Sequence, residues 1–272
     1  MKQCQPFAEL FPQGMTALTA QLSSIGMEAS FQYFRLFIVT VRFLLLRGMI
    51  MLLNYLYSEF YEEQVFLGLL GLSSADWQSL LERRVMPAAS YLFTNSSLCV
   101  SFLGQHQERE LYRFHLKSHR RWFEDLQCFG LTQEQAAKAF FLSRFRNAKE
   151  TFLSGELGTR LHASHPEVLS AFDGDLEERT WGHFLNGTYG ICTRDGQPDT
   201  IFQKQVGVRY VEKMTETEPH RFSGEQLALL RQTVDFLDGV ESEFAPHEVS
   251  QSSRQRCIID VRERYLAERV AA

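Results

Sequence analysis

Apolar residues recur at helical spacing over most of the chain beyond residue 51. Residues 223–240 show this most clearly, because most of their apolar positions fall three or four residues apart: Leu227, Leu229, Leu230, Val234, Phe236 and Leu237. Similar patterns predict helices over 132–152, 176–185 and 198–214, a short turn at 167–170 and a last helix that begins after Ser252-Ser253 and runs to Leu266. The polar residues 154–166 predict a linker. We therefore expect a mainly α, multi-helix globular fold.

A helix pair is predicted at the start of this region. One helix reaches about Leu70, Gly71 makes a turn, and Ser73 or Ser74 caps a second helix that ends before Pro87. Two short helices joined in this way, with a β-hairpin behind them, have the layout of a helix-turn-helix with a wing. The alternative is a helical hairpin that only packs, because the second helix offers two positive groups beside two acidic ones: Arg83, Arg84, Asp76 and Glu82.

The small hairpin is predicted within residues 90–102. Two β-prone runs flank Thr94-Asn95-Ser96-Ser97, which has the composition of a turn. Beyond the hairpin, apolar residues predict a helix over 108–127, closed by Gly130. We therefore divide the sequence into an N-terminal extension at 1–50, a helix-turn-helix-like pair with its hairpin at 51–105, and a helical domain at 106–272.

The most hydrophobic stretch, residues 34–57, has roughly the length of a helix that spans a bilayer. Three arginines lie inside it, and one at the bilayer centre costs about 2.5–3.5 kcal/mol: Arg35, Arg42 and Arg47. We expect a buried or partner-facing helix rather than a membrane span. Alternatively, residues 1–50 are an upstream extension and the natural start is Met49 or Met51.

Composition narrows the classes of function. A net charge of −5 argues against a dedicated nucleic-acid binder, which needs a positive field, although a local basic face is left open. The five cysteines form no CxxC pair, which suits a reducing cytoplasm better than a disulfide framework. The sequence holds no Gly-rich phosphate loop and no GxSxG elbow, so we expect no cofactor. The 23 phenylalanines predict a thick aromatic core between helices.

The segment HFLNGTYGICTR, residues 183–194, concentrates reactive side chains between two predicted helices. Functionally, Cys192 would be a nucleophile, His183 its base and Arg194 an anion clamp, because a thiolate needs a neighbouring base or cation. Structurally, the same stretch would be a turn at Asn186-Gly187 whose cysteine is a small buried hydrophobe. The residue types alone leave both interpretations open.

Two further clusters hold candidate groups. His115 and His119 are four residues apart, so on the predicted helix they form a weak candidate pair for a divalent metal, or part of a solvated basic face. His247 and Glu248 precede the N-terminus of the last helix, a position that favours anions, and Arg254 follows them. The alternative for this second cluster is a loop with a helix cap.

Three stretches together resemble a known family: LNYLYSEFYEEQ, WGHFLNGTYGICTR and FAPHEVSQSSRQRCIIDVRERYL. The sequence resembles an uncharacterised bacterial family labelled natural product biosynthesis protein, a domain of unknown function, over about residues 51–268. The resemblance implies a pathway association and no particular reaction. The matching positions are Gly187, Tyr189, Gly190, Cys192, Thr193, Arg194, Pro246, His247, Glu248, Ser253 and Arg254.

Our leading hypothesis is an accessory or tailoring protein of bacterial secondary metabolism, whose partner is an unknown small molecule or a biosynthetic pathway protein. Its ligand would lie between Gly187–Arg194 and His247–Arg254, where Tyr189, Arg194 and Arg254 are the candidate binding residues and Cys192, His183, His247 and Glu248 the candidate catalytic ones. The alternatives are a regulatory protein-binding or DNA-binding module built on the helix pair, and a purely structural interaction protein.

Overall fold

The computed structural model describes residues 51–170, 172 and 175–267. Leu52–Ala272 forms one compact unit, while Met1–Met51 is a separate unit that lies almost wholly outside the described residues. The predicted extension at 1–50 and most of the apolar stretch 34–57 therefore lie outside them as well. No helix among the described residues is long and apolar enough to cross a membrane.

Helices form most of the described chain, which confirms the mainly α prediction. Residues 51–59 are helical, the last segment contains π-helical turns at Gln255–Ile259 and Arg262–Leu266, and short 3-10 turns lie at Pro219–Arg221 and Val249–Gln251. The remaining helices are α1 (Glu63–Leu70), α2 (Ser74–Glu82), α3 (His119–Cys128), α4 (Glu134–Ser154), α5 (Glu156–Ser164), α6 (Glu167–Ser170), α7 (Leu176–Leu185), α8 (Thr188–Cys192), α9 (Pro198–Met214) and α10 (Gly224–Val240).

Local signals placed several helix ends correctly. Ser73 caps α2 with a capping box: its hydroxyl accepts a hydrogen bond from Asp76 N, and the Asp76 carboxylate accepts one from Ser73 N.

The prediction of a linker at 154–166 was wrong, because α5 occupies that stretch. Leu161 is fully buried and Leu157 packs against the core, so the two leucines, four residues apart, place one face of a short helix inward.

A three-stranded antiparallel sheet has the order β1-β3-β2, with β1 at Phe60–Glu62, β2 at Tyr91–Ser101 and β3 at Gly104–Leu116. The hairpin exists, but its predicted turn at 94–97 was wrong. The register pairs Ser101 with Gly104, so the chain turns at Phe102 and Leu103 and residues 94–97 lie inside β2.

The helix predicted over 108–127 was also wrong in its first half. Leu111, Phe114 and His115 have helical spacing, yet Tyr112, Phe114 and Leu116 alternate as strand residues do, and pairing with β2 favours the strand. The helix begins only at His119. The boundary that we expected between residues 105 and 106 therefore falls inside β3.

Aromatic side chains fill the core between α3, α4, α7 and α9, as the phenylalanine content predicted. The Phe184 ring has its centre 4.8 Å from that of Phe141 and 5.0 Å from that of Trp122, and Trp181 packs against the same group. Helices α9 and α10 approach closely because Gly207 has no side chain: a Cβ there would lie 3.2 Å from Leu237 Cβ. This packing fixes the end of α10 beside α9.

Candidate functional site

The segment 183–194 forms the end of α7, a glycine turn and the short helix α8. Gly187 has φ of 75°, a conformation that glycine adopts without strain, and it precedes α8 directly. A Cβ on Gly187 would lie 2.7 Å from the carbonyl oxygen of Ala88, and one on Gly190 would clash with the hydroxyl of Ser90. Both glycines therefore let this turn pack against residues 88–90, the connection that leads into β2.

Tyr189, a predicted ligand-binding residue, belongs to the interior. Its side chain is buried, and its hydroxyl oxygen accepts a hydrogen bond of 2.6 Å from Gln205 Nε2. Burial raises the pKa of Tyr189 to about 12. The ring fixes α8 against α9, and its hydroxyl already has a protein partner.

Cys192 and His183 show no sign of the activated pair that the nucleophile hypothesis needs. Burial raises the pKa of the Cys192 thiol, and the charged groups that act on it are Lys204 and Glu241. His183 is exposed on α7 and its ring contacts Tyr189, with 6.3 Å between ring centres. A thiol in this environment stays protonated, because the low-dielectric surroundings disfavour the thiolate.

Arg194 and Arg254, by contrast, both lie next to the carboxylate of Glu243. Arg254 forms ion pairs with Asp238 at 2.9 Å and Glu243 at 3.1 Å. Arg194 donates a hydrogen bond of 3.0 Å to the Asp238 carbonyl and lies 3.8 Å from Glu243. Arg254 Nη1 and Asp238 Oδ1 are close, but neither atom has a partner at hydrogen-bonding angles among the described residues, so their attraction is mainly electrostatic. These contacts join the two segments that the sequence placed together.

A buried carboxylate, Glu241, lies at the centre of this junction. The residue is 0% exposed, its Oε1 accepts a hydrogen bond from the Ser253 hydroxyl and lies 3.8 Å from Lys204 Nζ, and its backbone bridges to Thr193. Its Oε2 has no hydrogen-bond partner among the described residues. Burial raises the pKa of Glu241, although Ser253 and Lys204 act in the opposite direction. We call Glu241, Lys204, Ser253, Cys192 and Arg254 the Glu241 cluster.

His247 and Glu248 make their contacts with the sheet. The Tyr91 hydroxyl donates a hydrogen bond of 2.6 Å to Glu248 Oε2, and burial and this bond raise the pKa of Tyr91. His247 is mostly exposed, with its Nε2 3.9 Å from Glu248 Oε1. The nearby Tyr55 hydroxyl is buried and has no hydrogen-bond partner within the described part of the chain, and burial raises its pKa to about 12. These contacts hold residues 245–248 against the start of β2.

The two candidate metal ligands do not share a helix. His115 lies near the end of β3. Its ring stacks on Phe66 with 5.0 Å between ring centres, and its Nε2 lies 3.2 Å from Glu63. His119 opens α3, fully buried, and Gly196 packs directly over its ring. Within the described part of the chain, no group of three or more His, Cys, Asp or Glu side chains is placed to hold a metal ion.

Arg83 and Arg84, which follow α2, make contacts with other residues of the same chain. Arg84 Nε lies 2.8 Å from Glu134 of α4, and Arg83 donates to the carbonyl oxygens of Ser79 and Thr132. Trp77 of α2 is buried with its ring edge against Phe66. This arrangement fits a hairpin that packs against the helical body.

Two clefts occur away from the Glu241 cluster. One of about 410 Å³ lies along α4 beside Phe145 and Phe172, and one of about 340 Å³ lies between α2 and α3 beside Leu80 and Leu126. Sequence analysis pointed to neither of them. Both are open grooves lined by leucine, phenylalanine and surface charges.

Glu241 is the residue that sequence analysis missed, and the sequence does contain a signal for it. Leu230, Val234 and Leu237 form the inward face of α10, and Glu241 is the next position at the same spacing. A carboxylate that continues a buried apolar stripe needs partners inside the protein. Lys204 and Ser253 supply them from α9 and the last segment.

Comparison with known proteins gives one match. Residues 137–266 match the model of a family of unknown function, DUF6058. The matched residues run from α4 to the last helical segment, so they contain the whole Glu241 cluster and leave out α1, α2 and the sheet. No curated protein and no solved structure matches the chain.

Proposed function

We propose that this chain is a cytoplasmic accessory or tailoring protein of bacterial secondary metabolism that binds a small polar molecule at the Glu241 cluster. The metabolic role rests on the family resemblance of the sequence, and the cytoplasmic location on its cysteines, because all four in the described part of the chain are free thiols. The binding site rests on the geometry of the cluster.

One observation carries the proposal: the Oε2 atom of a fully buried carboxylate lacks a hydrogen-bond partner among the described residues. A buried polar group without a partner costs about 1–3 kcal/mol, so in native proteins such a group is usually satisfied by a protein group, an ordered water or a ligand. A ligand that donates a hydrogen bond to Glu241 Oε2 would recover this cost on binding.

The neighbouring groups indicate the chemistry of the ligand. The side chains of Lys204 and Arg254 are 15% and 13% exposed, so both positive groups lie near the surface beside the buried Glu241. The best-fitting ligand therefore combines a hydroxyl or amine donor with an anionic group such as a carboxylate. Cys192, whose thiol pKa is raised by burial, would form part of the wall and take no part as a nucleophile.

The segment that supplies Ser253 and Arg254 supports the same interpretation. It continues into two π-helical turns, Gln255–Ile259 and Arg262–Leu266. Such turns are rare and occur often at functional sites, because the wider turn redirects side chains at the expense of regular helix bonding. Here the first of them follows directly after the two residues that reach Glu241 and Asp238.

A ligand screen with matched variants tests the proposal. Thermal unfolding of the full chain is recorded with a panel of hydroxy acids, amino acids and dicarboxylates, for the wild type, Glu241→Gln and the control Glu216→Gln. Glu216 is an exposed carboxylate that pairs with Lys213 outside the cluster. We expect at least one compound to raise the Tm of the wild type and of the control, and to bind Glu241→Gln roughly tenfold more weakly.

Two results would contradict the proposal. One is a panel in which no compound stabilises the wild type, and the other is a stabilising compound that binds all three proteins equally. If Glu241→Gln unfolds, Ser253→Ala serves as the second variant, because it removes the hydrogen bond that orients the carboxylate and keeps the charge. Circular dichroism spectra of each variant establish that the fold is intact.

A further inference from the structure

Strands β2 and β3 form a ribbon whose outer half extends into solvent. Every residue from Thr94 to Leu111 is exposed, and the tip residues Phe102 and Leu103 are 96% and 84% exposed. Eleven residues at about 3.4 Å each give β2 a length of roughly 37 Å. The inner end of the ribbon is anchored, because Tyr91 and Phe114 pack with Phe60 under the sheet.

The two edges of the ribbon differ in charge. The β3 edge carries Glu108, Arg109, Glu110 and Arg113, whereas β2 has no charged residue and no proline along its whole length. Exposed edge strands normally carry charges, proline or bulges that prevent pairing with another strand. Among the described residues, nothing pairs with the outer edge of β2. This edge therefore lacks the usual protection against strand addition.

One face of the same ribbon carries a row of apolar residues along β2, while its β3 side is mostly polar. The register places Leu92 opposite Arg113, Thr94 opposite Leu111, Ser96 opposite Arg109, Leu98 opposite Gln107 and Val100 opposite Gln105, all on one face. The apolar members of this face are at least half exposed. Single exposed apolar residues are common on soluble proteins, but a row of them along one ribbon marks an interaction surface.

We propose that β2 pairs in antiparallel fashion with β2 of a second copy of this chain, which gives a four-stranded sheet of order β3-β2-β2′-β3′. Backbone hydrogen bonds along the two edges hold the pair, and antiparallel pairing over the full length of β2 places Val100 of each copy opposite Leu92 of the other and Leu98 opposite Thr94. The interface is isologous, because the same edge serves both copies.

Charge favours a second copy as the occupant. Self-pairing brings two uncharged strands together, so no like charges meet at the contact. The charged strands β3 and β3′ are then three strand spacings apart, about 14 Å, which exceeds the screening length of about 8 Å at physiological ionic strength. Pairing through the β3 edge would instead bring a strand with four charged residues against its own copy.

Sedimentation of the full chain tests this interface. We compare the wild type with the double variant Leu98→Lys/Val100→Lys and with the control Gln105→Lys/Gln107→Lys. The control places the same two charges on the same face at the cross-strand positions of β3. We expect a dimer of the 31.5 kDa chain for the wild type and the control, and at least about tenfold weaker dimerisation for the β2 variant.

Three sedimentation results would overturn the proposal. They are a wild type that is monomeric at every concentration, a dimer that the β2 substitutions leave unchanged, and a control that dissociates as readily as the β2 variant. Because all four positions are exposed, the variants should keep the thermal unfolding curve of the monomer, which verifies that the fold is intact.

Hydrogen exchange identifies what covers the edge. In the dimer, amides of residues 91–101 should exchange more slowly as the concentration rises, while those of 104–111 keep their rates. A monomer in which residues 91–101 are protected at every concentration would show that another segment of the same chain covers β2. A monomer in which the amides of residues 91–101 exchange freely would show that the β2 edge is open to pairing with a different protein. Either result overturns self-pairing.

Discussion

The glycines of the 183–194 turn show how single residues determine the fold near the Glu241 cluster. Gly187 and Gly190 lie against residues 88–90, so the turn and the connection into β2 are packed backbone to backbone. This explains why the segment is rich in glycine without a catalytic role for it. The sequence predicted the turn from Asn186-Gly187, but the partner at 88–90 is about a hundred residues away and leaves no local signal.

Replacement of Gly190 by alanine should destabilise the protein, because the new Cβ collides with the Ser90 hydroxyl. We expect a loss of about 1–3 kcal/mol in the free energy of unfolding, measured by urea denaturation. Since the buried Ser90 hydroxyl has no hydrogen-bond partner among residues that the structure describes, Ser90→Ala in the same chain should restore part of the loss. Gly182→Ala is the control: a Cβ there meets no atom within 4 Å, so it should be neutral or stabilising. A Gly190→Ala protein as stable as this control would contradict the packing.

At the level of elements, the sequence predicts what depends on local signals. Helix caps, proline positions and apolar spacing placed α2, α7, α9 and α10 well, because each signal lies within the helix that it defines. Strand β3 was missed because its identity depends on pairing with β2, and α5 was missed because only two leucines on one face hold it inward. Arg194 and Arg254 both lie against Glu243, and their acidic partners come from α10 and the residues after it.

Loss of the cap of α2 should have a defined cost. Ser73→Ala removes the hydroxyl that accepts a hydrogen bond from Asp76 N, and we expect the free energy of unfolding to fall by about 1 kcal/mol. Ser74→Ala is the matched control, because Ser74 is the first helical residue and is not the cap. Urea denaturation midpoints compare the two variants. Equal losses at both positions would show that the capping box does not stabilise α2.

At the scale of the whole molecule, His119 should make the fold sensitive to acid. Burial, together with the nearby His115, lowers the pKa of His119 to about 3 from its ordinary value of 6.5. The unfolded chain therefore binds a proton that the folded chain excludes, and stability falls as the pH drops below 6.5, by about 1.4 kcal/mol per pH unit for this group.

The variant His119→Leu should lose this part of the acid dependence, whatever its stability at neutral pH. The control His162→Leu replaces an exposed histidine and should keep the wild-type slope. The free energy of unfolding, measured by urea denaturation between pH 4 and 7, gives both slopes. A His119→Leu slope equal to that of the wild type would mean that His119 takes up its proton in the folded protein.

The central claim is that Glu241 Oε2, without a partner inside the described chain, is the acceptor for a small polar ligand. The most direct measurement is a crystal structure of the full chain with the compound that gives the largest Glu241-dependent rise in Tm. We predict density for that compound within hydrogen-bonding distance of Oε2, with its anionic group towards Lys204 or Arg254. A structure in which Oε2 contacts only protein or ordered water, and the compound lies elsewhere, would contradict the claim.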